Sequence, residues 1–276
     1  MQTATSLSEL HEQIRVSHSS LSKRLQQVAE YVLENTNSIA FDTVAVIAEK
    51  ASVPPSTLIR FASAFGFSGF NQMKQLFRQS LVQETTNYPE RVKLYKQLEG
   101  TTPLAATPKQ LLEQFSLANA QAMEQLANQT TDEQMERAVE LLSNADTIYL
   151  VGLRRSFSVA SYLAYAFSHL NKRAILIDGL GGMFKEQLNM VSRNDVVLAI
   201  SFSPYAEETL SLCKSAAQAG ARQITITDSL LSPLASLSEV CFVVKEAKVD
   251  AFRSQSASLC LAQSLAVAMA HQPDAN

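Results

Sequence analysis

The run Thr147-Ile-Tyr-Leu-Val-Gly-Leu-Arg-Arg-Ser156 decides how this chain is read. Thr147–Val151 is a short apolar strand signal, Gly152 permits a tight turn, and Ser156 opens a helical spacing that lasts to Leu170. The unit then repeats. Apolar runs recur at Ala174–Ile177, Val196–Ile200, Gln223–Ile226 and Val240–Val244, with helical stretches near Gly182–Met190, Tyr205–Ala219 and Ser254–Ala270. Strands continuous in Ile, Val and Leu, separated by helices, predict an α/β C-terminal domain: a five-stranded parallel sheet sandwiched by helices. Sheets of this kind take ligands at the C-terminal ends of their strands, beside helix N-termini.

Two strand ends carry the chemistry. Gly152-Leu-Arg154-Arg155-Ser156 joins a strand to a helix start, where free backbone N–H groups and the helix dipole favour negative charge. Val196–Ile200 repeats the device with Ser201-Phe-Ser203-Pro-Tyr205 before its helix. The candidate ligand residues are therefore Gly152, Arg154, Arg155, Ser156, Ser201, Ser203 and Tyr205. The serines also fit plain helix caps. Arg154 and Arg155 either offer a guanidinium to a carboxylate or phosphate or point to solvent.

Upstream, residues 82–108 lose the apolar stripe and gain Pro89, Gly100, Pro103 and Pro108, which reads as a linker with a helical stretch around Glu90–Gln97. Two amphipathic helices are expected at Lys109–Asn128 and Thr131–Asn144, the second opened by a capping box of Thr131 and Gln134.

Residues 1–81 are helical throughout. Leu21, Leu25, Val28, Ala29, Val32 and Leu33 share one face, and Val44, Ile47 and Ala48 repeat the period. About five short helices are expected. Asp42 or Thr43 caps one of them, a turn passes Ser52–Pro54, and the next helix starts near Pro55. That is the build of a helix-turn-helix, with Leu58 and Phe61 as core anchors and Ser56, Thr57, Arg60 and Ser63 exposed. Arg60 suits a guanine edge or a phosphate, Ser56 and Thr57 suit phosphate or base contacts, and Lys74 and Arg78 suit backbone phosphates. A helical bundle that binds nothing, or binds protein, has the same spacing.

Composition bounds both readings. With 46% hydrophobic and 18% charged residues among 276, the chain can bury a core. No window approaches a membrane span, and the start lacks the pattern of a secretion signal. Cys213, Cys241 and Cys260 stand far apart, without metal-ligand spacing, as suits small buried residues in a reducing cytoplasm. The net charge of −3 is uneven: 1–81 carries +1 and 109–276 carries −4. Val53–Gln83 holds Arg60, Lys74 and Arg78 with no acid, as a small nucleic-acid module would.

TVAVIAEKASVPPSTLIRFASAFGFSGFNQMK, residues 43–74, resembles the helix-turn-helix of the RpiR family of bacterial transcription regulators. The match includes the Thr-x-x-Arg-Phe helix and the GFxGFxxxK tail, with Pro54 where that family more often has a serine cap. Lys109–Ala270 resembles the SIS (sugar isomerase) domain that follows it in such regulators, through the Gly152…Ser156 loop, Ser201-x-Ser203, Ile226-Thr-Asp-Ser229 and Phe252-Arg253-Ser254. The resemblance implies that Ser156, Ser201 and Ser203 hold the phosphate of a sugar phosphate. SIS loops commonly carry glycine at Arg154, glycine at Pro204 and threonine at Ala206, so one N–H and one hydroxyl are missing here.

The expectation is a DNA-binding regulator, divided into a 1–81 helix-turn-helix domain, an 82–108 linker and a 109–276 effector-binding and dimerisation domain. Its partners are a double-stranded operator and an anionic metabolite, most often a sugar phosphate, with a carboxylated metabolite next. A homodimer or homotetramer without cofactor or metal fits this. The alternative is an SIS-type isomerase. That would need a placed base, and His169, Asp178, Glu186, Glu207 and Glu208 form no constellation.

Overall fold

A computed structural model describes residues 3–4, 6–85, 87–99 and 107–272, leaving aside the side chains of Gln83 and Glu99. Gly100 and Pro103 of the expected linker lie outside the described residues. The chain separates into two compact units, one of residues 1–106 with 250–252 and one of 107–249 with 253–276.

The first unit is helical: α1 (Leu7–Ser17), α2 (Lys23–Glu34), α3 (Thr36–Phe41), α4 (Val44–Lys50), α5 (Pro55–Ala64), α6 (Phe70–Glu84) and α7 (Tyr88–Glu99). Six helices are described before residue 85 where five were expected, because the six-residue α3 is too short to show a period. Polar caps set the starts. Ser6 accepts from the Glu9 N–H and Thr43 from the Val46 N–H. No side chain caps α5; Pro55 at its first turn presets φ and has no N–H to satisfy. Between α4 and α5, Ser52 takes a left-handed φ of 53° and the Val53 N–H reaches the Ala48 carbonyl at 2.9 Å. Gly66, at φ 82°, closes α5 as the Phe67 N–H bonds the Ala62 carbonyl. Ile14, Val32, Ile39, Ile47, Leu58, Phe61, Met73 and Phe77 are fully buried and form one core.

The second unit opens with α8 (Pro108–Gln129) and α9 (Asp132–Asn144). The expected Thr131–Gln134 capping box is formed, and Thr107–Gln110 makes another at the start of α8. Next come β1 (Ile148–Gly152), α10 (Phe157–Ser168), β2 (Ala174–Ile177), α11 (Phe184–Leu188) and β3 (Val196–Ile200). Then follow α12 (Glu207–Gln218), β4 (Arg222–Thr227), β5 (Val240–Val243), the two-residue strands β6 (Lys248–Val249) and β7 (Phe252–Arg253), and α13 (Ser256–Ala270). β1–β5 form a parallel sheet in the order β2-β1-β3-β4-β5. The period-two alternation sorts its side chains: Ile148, Leu150, Leu198, Ile224 and Ile226 pack toward α8, α9, α10 and α13, while Tyr149, Val151, Val197 and Ala199 pack toward α11 and α12. Each fully buried aliphatic side chain contributes about 1.5–3 kcal/mol.

Among the described residues no helix is long and apolar enough to cross a membrane, and no group of His, Cys, Asp and Glu has a metal-binding arrangement. Burial pushes the Cys213 thiol up to about 12 and the Cys241 thiol up to about 11, far from thiolate chemistry.

In the first unit, His11 of α1 lies against Phe77, ring centroids 6.0 Å apart. Its Nε2 is enclosed and, among the described residues, has no hydrogen-bond partner. Burial, and then the charge of Arg15, lower its pKa below the ordinary 6.5. The unfolded chain therefore takes the proton first, so this contribution is present above about pH 6.5 and is lost as pH falls through that value. Stability measured from pH 7 to 5 is expected to fall less steeply in His11→Gln than in the parent; parallel curves would remove His11 from this role.

Candidate nucleic-acid and anion sites

On α5, Ser56, Arg60 and Ser63 are exposed, spaced so that they share one face. Ile59 joins them, 53% exposed, although an isoleucine beside Leu58 has the pattern of a core residue. Thr57 departs from expectation. It is fully buried, and the Arg60 guanidinium donates to its hydroxyl at 3.5 Å, so it is not a surface contact.

Lys74 and Arg78 also differ. The Lys74 side chain is buried and its ammonium donates to the Asp42 carbonyl; burial, and then neighbouring Arg78, lower its pKa. Arg78 Nε donates to the Ala40 carbonyl at 3.2 Å. Both cations fasten α6 to the α3–α4 corner by satisfying carbonyls at a helix end. Lys74 is thereby an internal strut, while Arg78 is half-buried with its Nε committed to the Ala40 carbonyl. Lys50 and Asp42 form an ion pair at the same corner, 2.8 Å apart.

In the second unit the turns after β1 and β3 lie side by side, since Gly152 pairs with Ile200 in the parallel ladder. A Cβ on Gly152 would stand 2.8 Å from the Ser156 carbonyl oxygen and 2.9 Å from Ala160 Cβ, so only glycine lets α10 approach so closely. Arg154 to Ser156 make one tight helical turn that runs into α10. Arg154 is exposed at φ 54°, in the left-handed region, at the position where SIS loops commonly carry glycine. Ser156 and Ser201 are buried and Ser203 is half-buried. Among the described residues the hydroxyls of these three serines make no hydrogen bond, and none is enclosed without a partner, so they face solvent-reachable space at the C-terminal ends of the strands.

Asp228, just past β4, organises these strand ends. Its carboxylate accepts from the Ser203 N–H at 3.2 Å and from the Tyr205 hydroxyl at 2.9 Å. Tyr205, read as a ligand contact, is thus engaged with Asp228. Arg253 of β7 lies over the Phe202 ring, 4.5 Å from its centroid, and donates to the Ser203 carbonyl at 3.5 Å. Lys245 donates to the Asp228 carbonyl at 2.5 Å, and Gln255 donates to the Arg155 carbonyl at 2.6 Å. Arg253 stands in the Phe-Arg-Ser segment and Asp228 in the Ile-Thr-Asp-Ser segment noted in the sequence; Lys245 and Lys248 carried no signal there, because only the fold brings their loops together. His169 sits at the opposite end of α10, edge-on to Tyr165. Asp178 accepts from Gln187 and then the Leu180 N–H, which hold its carboxyl below the usual range.

A helix-turn-helix bundle followed by a parallel sheet with serine-bearing strand ends defines the class: a helix-turn-helix protein with a sugar-isomerase-type α/β unit. The helix-turn-helix domain of the rpiR family is matched over residues 8–84 and the SIS domain over residues 141–271, and the chain belongs to the RpiR-type helix-turn-helix regulators that carry a SIS domain. It is 29% identical over 247 residues to the bifunctional protein glk of Burkholderia thailandensis, an alignment covering 86% of this chain and 35% of that protein. The chain thus spans about a third of the length of that relative. An HTH-type transcriptional regulator of Caldanaerobacter subterraneus subsp. tengcongensis is 25% identical over 227 residues, covering 82% of this chain and 77% of that one. In fold, the chain is similar to the Vibrio vulnificus NanR protein complexed with ManNAc-6P, with TM-score 0.56, 23% identity, and coverage of 94% and 90%.

The left-handed φ of Arg154 costs a non-glycine residue about 1–2 kcal/mol, against about 0.5–1 kcal/mol for the freedom that glycine loses on folding. Arg154→Gly is expected to raise stability by about 0.5–1 kcal/mol. Denaturant midpoints check this; a midpoint that drops would show that the Arg154 side chain does more than cover the turn.

Proposed function

We propose that this protein is a DNA-binding transcriptional regulator that responds to a small anionic metabolite, a sugar phosphate in the first place. Residues 1–81 act as the DNA-reading head, 82–108 as the linker, and 109–276 as the effector-binding and dimerisation domain. The exposed face of α5 enters the major groove, with Arg60 on a guanine edge or phosphate and Ser56 and Ser63 beside it. One short recognition helix reads few bases, so two copies facing an inverted repeat supply the specificity. Its setting is the cytoplasm.

The observation that carries this reading is the adjacency of the β1 and β3 turns, with three serine hydroxyls that bond nothing among the described residues. Serines on neighbouring turns, one of them at the start of α10, suit phosphate oxygens. The similar NanR protein is complexed with ManNAc-6P, which supports a phosphosugar. Ligand binding biases the arrangement of the DNA-reading heads to the extent that it prefers one arrangement over another. A sensing role, not isomerisation, is favoured by the place of His169 at the far end of α10 and by the bonding of Asp178 to Gln187.

Arg60→Ala is expected to weaken binding to a duplex selected from a random pool by roughly 5- to 100-fold, while ligand-induced thermal stabilisation stays intact. Unchanged affinity would take Arg60 out of the interface. Ser156→Ala and Ser203→Ala are expected to abolish the thermal response to phosphosugars and to leave duplex retention unchanged. Turnover of ketose phosphates by the purified protein would favour the isomerase.

A further inference from the structure

The helix α5 sorts its side chains sharply. Thr57, Leu58, Phe61 and Ala62 are fully buried, while Ser56, Ile59, Arg60 and Ser63 are exposed. The outward four follow the spacing i, i+3, i+4, i+7, which places them in one stripe along the helix. Three of them can hydrogen-bond, and the fourth is a branched alkyl chain.

A lone exposed aliphatic residue needs no explanation by itself. The neighbours of Ile59 give it a meaning. Ser56 lies one turn before it, Ser63 one turn after, and Arg60 follows directly, with no carboxylate in an ion pair with that guanidinium among the described residues. No acid between Val53 and Gln83 repels a polyanion from the stripe. Ile59 is also stiff, because a β-branched side chain in a helix keeps one strongly preferred χ1 rotamer, so little freedom is lost when it docks.

In the major groove thymine alone among the four bases presents a methyl group, at C5. An alkyl chain set against a cytosine amine or a guanine oxygen strips water from a polar group and returns no hydrogen bond. Against a thymine methyl it removes apolar surface from water on both sides. We propose that Ile59 reads the C5-methyl group of a thymine, in the same half-site as the base or phosphate that Arg60 contacts. This rests on the DNA-binding reading above and adds to it a specificity-determining residue and the atom it recognises.

The full chain is tested on a duplex that it selects from a random pool, with each thymine replaced in turn by deoxyuridine, which lacks only that methyl. At one thymine in each half-site the replacement is expected to weaken binding about three- to ten-fold, as burial of one methyl group against an alkyl chain allows. Ile59→Ala is expected to bind the thymine duplex more weakly by a similar factor and to bind the thymine and deoxyuridine duplexes equally. Its thermal midpoint is expected to match the parent's, since Ile59 lies outside the buried core of the helical unit. A selected half-site without thymine, indifference of the parent to every replacement, or an Ile59→Ala variant that keeps the parent's affinity or its sensitivity to the methyl would each overturn the assignment and leave the DNA-binding reading standing. If the parent selects no sequence from the pool, the DNA-binding reading falls, and the assignment with it.

Discussion

The parallel-sheet unit depends on the absence of a side chain at Gly152. With the Ser156 carbonyl and the Ala160 methyl closing on the space a Cβ would take, α10 is drawn against the end of β1. That close approach presents Ser156 at the helix start, and the β1–β3 ladder sets its turn beside the one that carries Ser201. A larger residue would push α10 off the sheet and disturb Val159, Ala160 and Leu163, which are buried in the same core. Packing and site geometry are one constraint at this turn.

At the neighbouring strand ends, polar groups are satisfied from within the loops. Asp228 engages the Ser203 N–H and the Tyr205 hydroxyl, and Glu246 takes the first free N–H groups of α13. Backbone donors that an anion would otherwise find are thereby occupied, and side-chain cations gain importance. The absence of an N–H at Pro204 acts in the same direction.

Most of the architecture was legible because periodicity reports burial directly. Val196–Ile200 is buried on both faces and reads as an unbroken apolar run, and Thr131–Gln134 announces a helix start with its own hydrogen bonds. The strands β6 and β7 have two residues each, too few for any period. Side-chain direction was less legible. Lys74 and Arg78 lie on a helix whose polar positions look solvated, and only the α3–α4 corner, over thirty residues away in sequence, turns them inward. Thr57 failed for a related reason: its hydroxyl finds Arg60, so a polar residue is fully buried. The Asp228 group joins segments from residues 155 to 253, a convergence that no local pattern announces.

The burial of Lys74 and the anchoring of Arg78 Nε also change how the helical head relates to a polyanion. Of the three cations between residues 53 and 83, Arg60 alone stands on the exposed face of α5. If that face docks as proposed, residues 53–83 release few condensed counterions from a duplex, and the salt dependence of a lone head rests on cations elsewhere in the unit. In the regulator proposed above, valency would add to the grip: two heads tethered in one assembly, each weak, would act at high effective concentration. Such an assembly would let go when the heads are re-spaced, without any change to the helix proposed to read the groove.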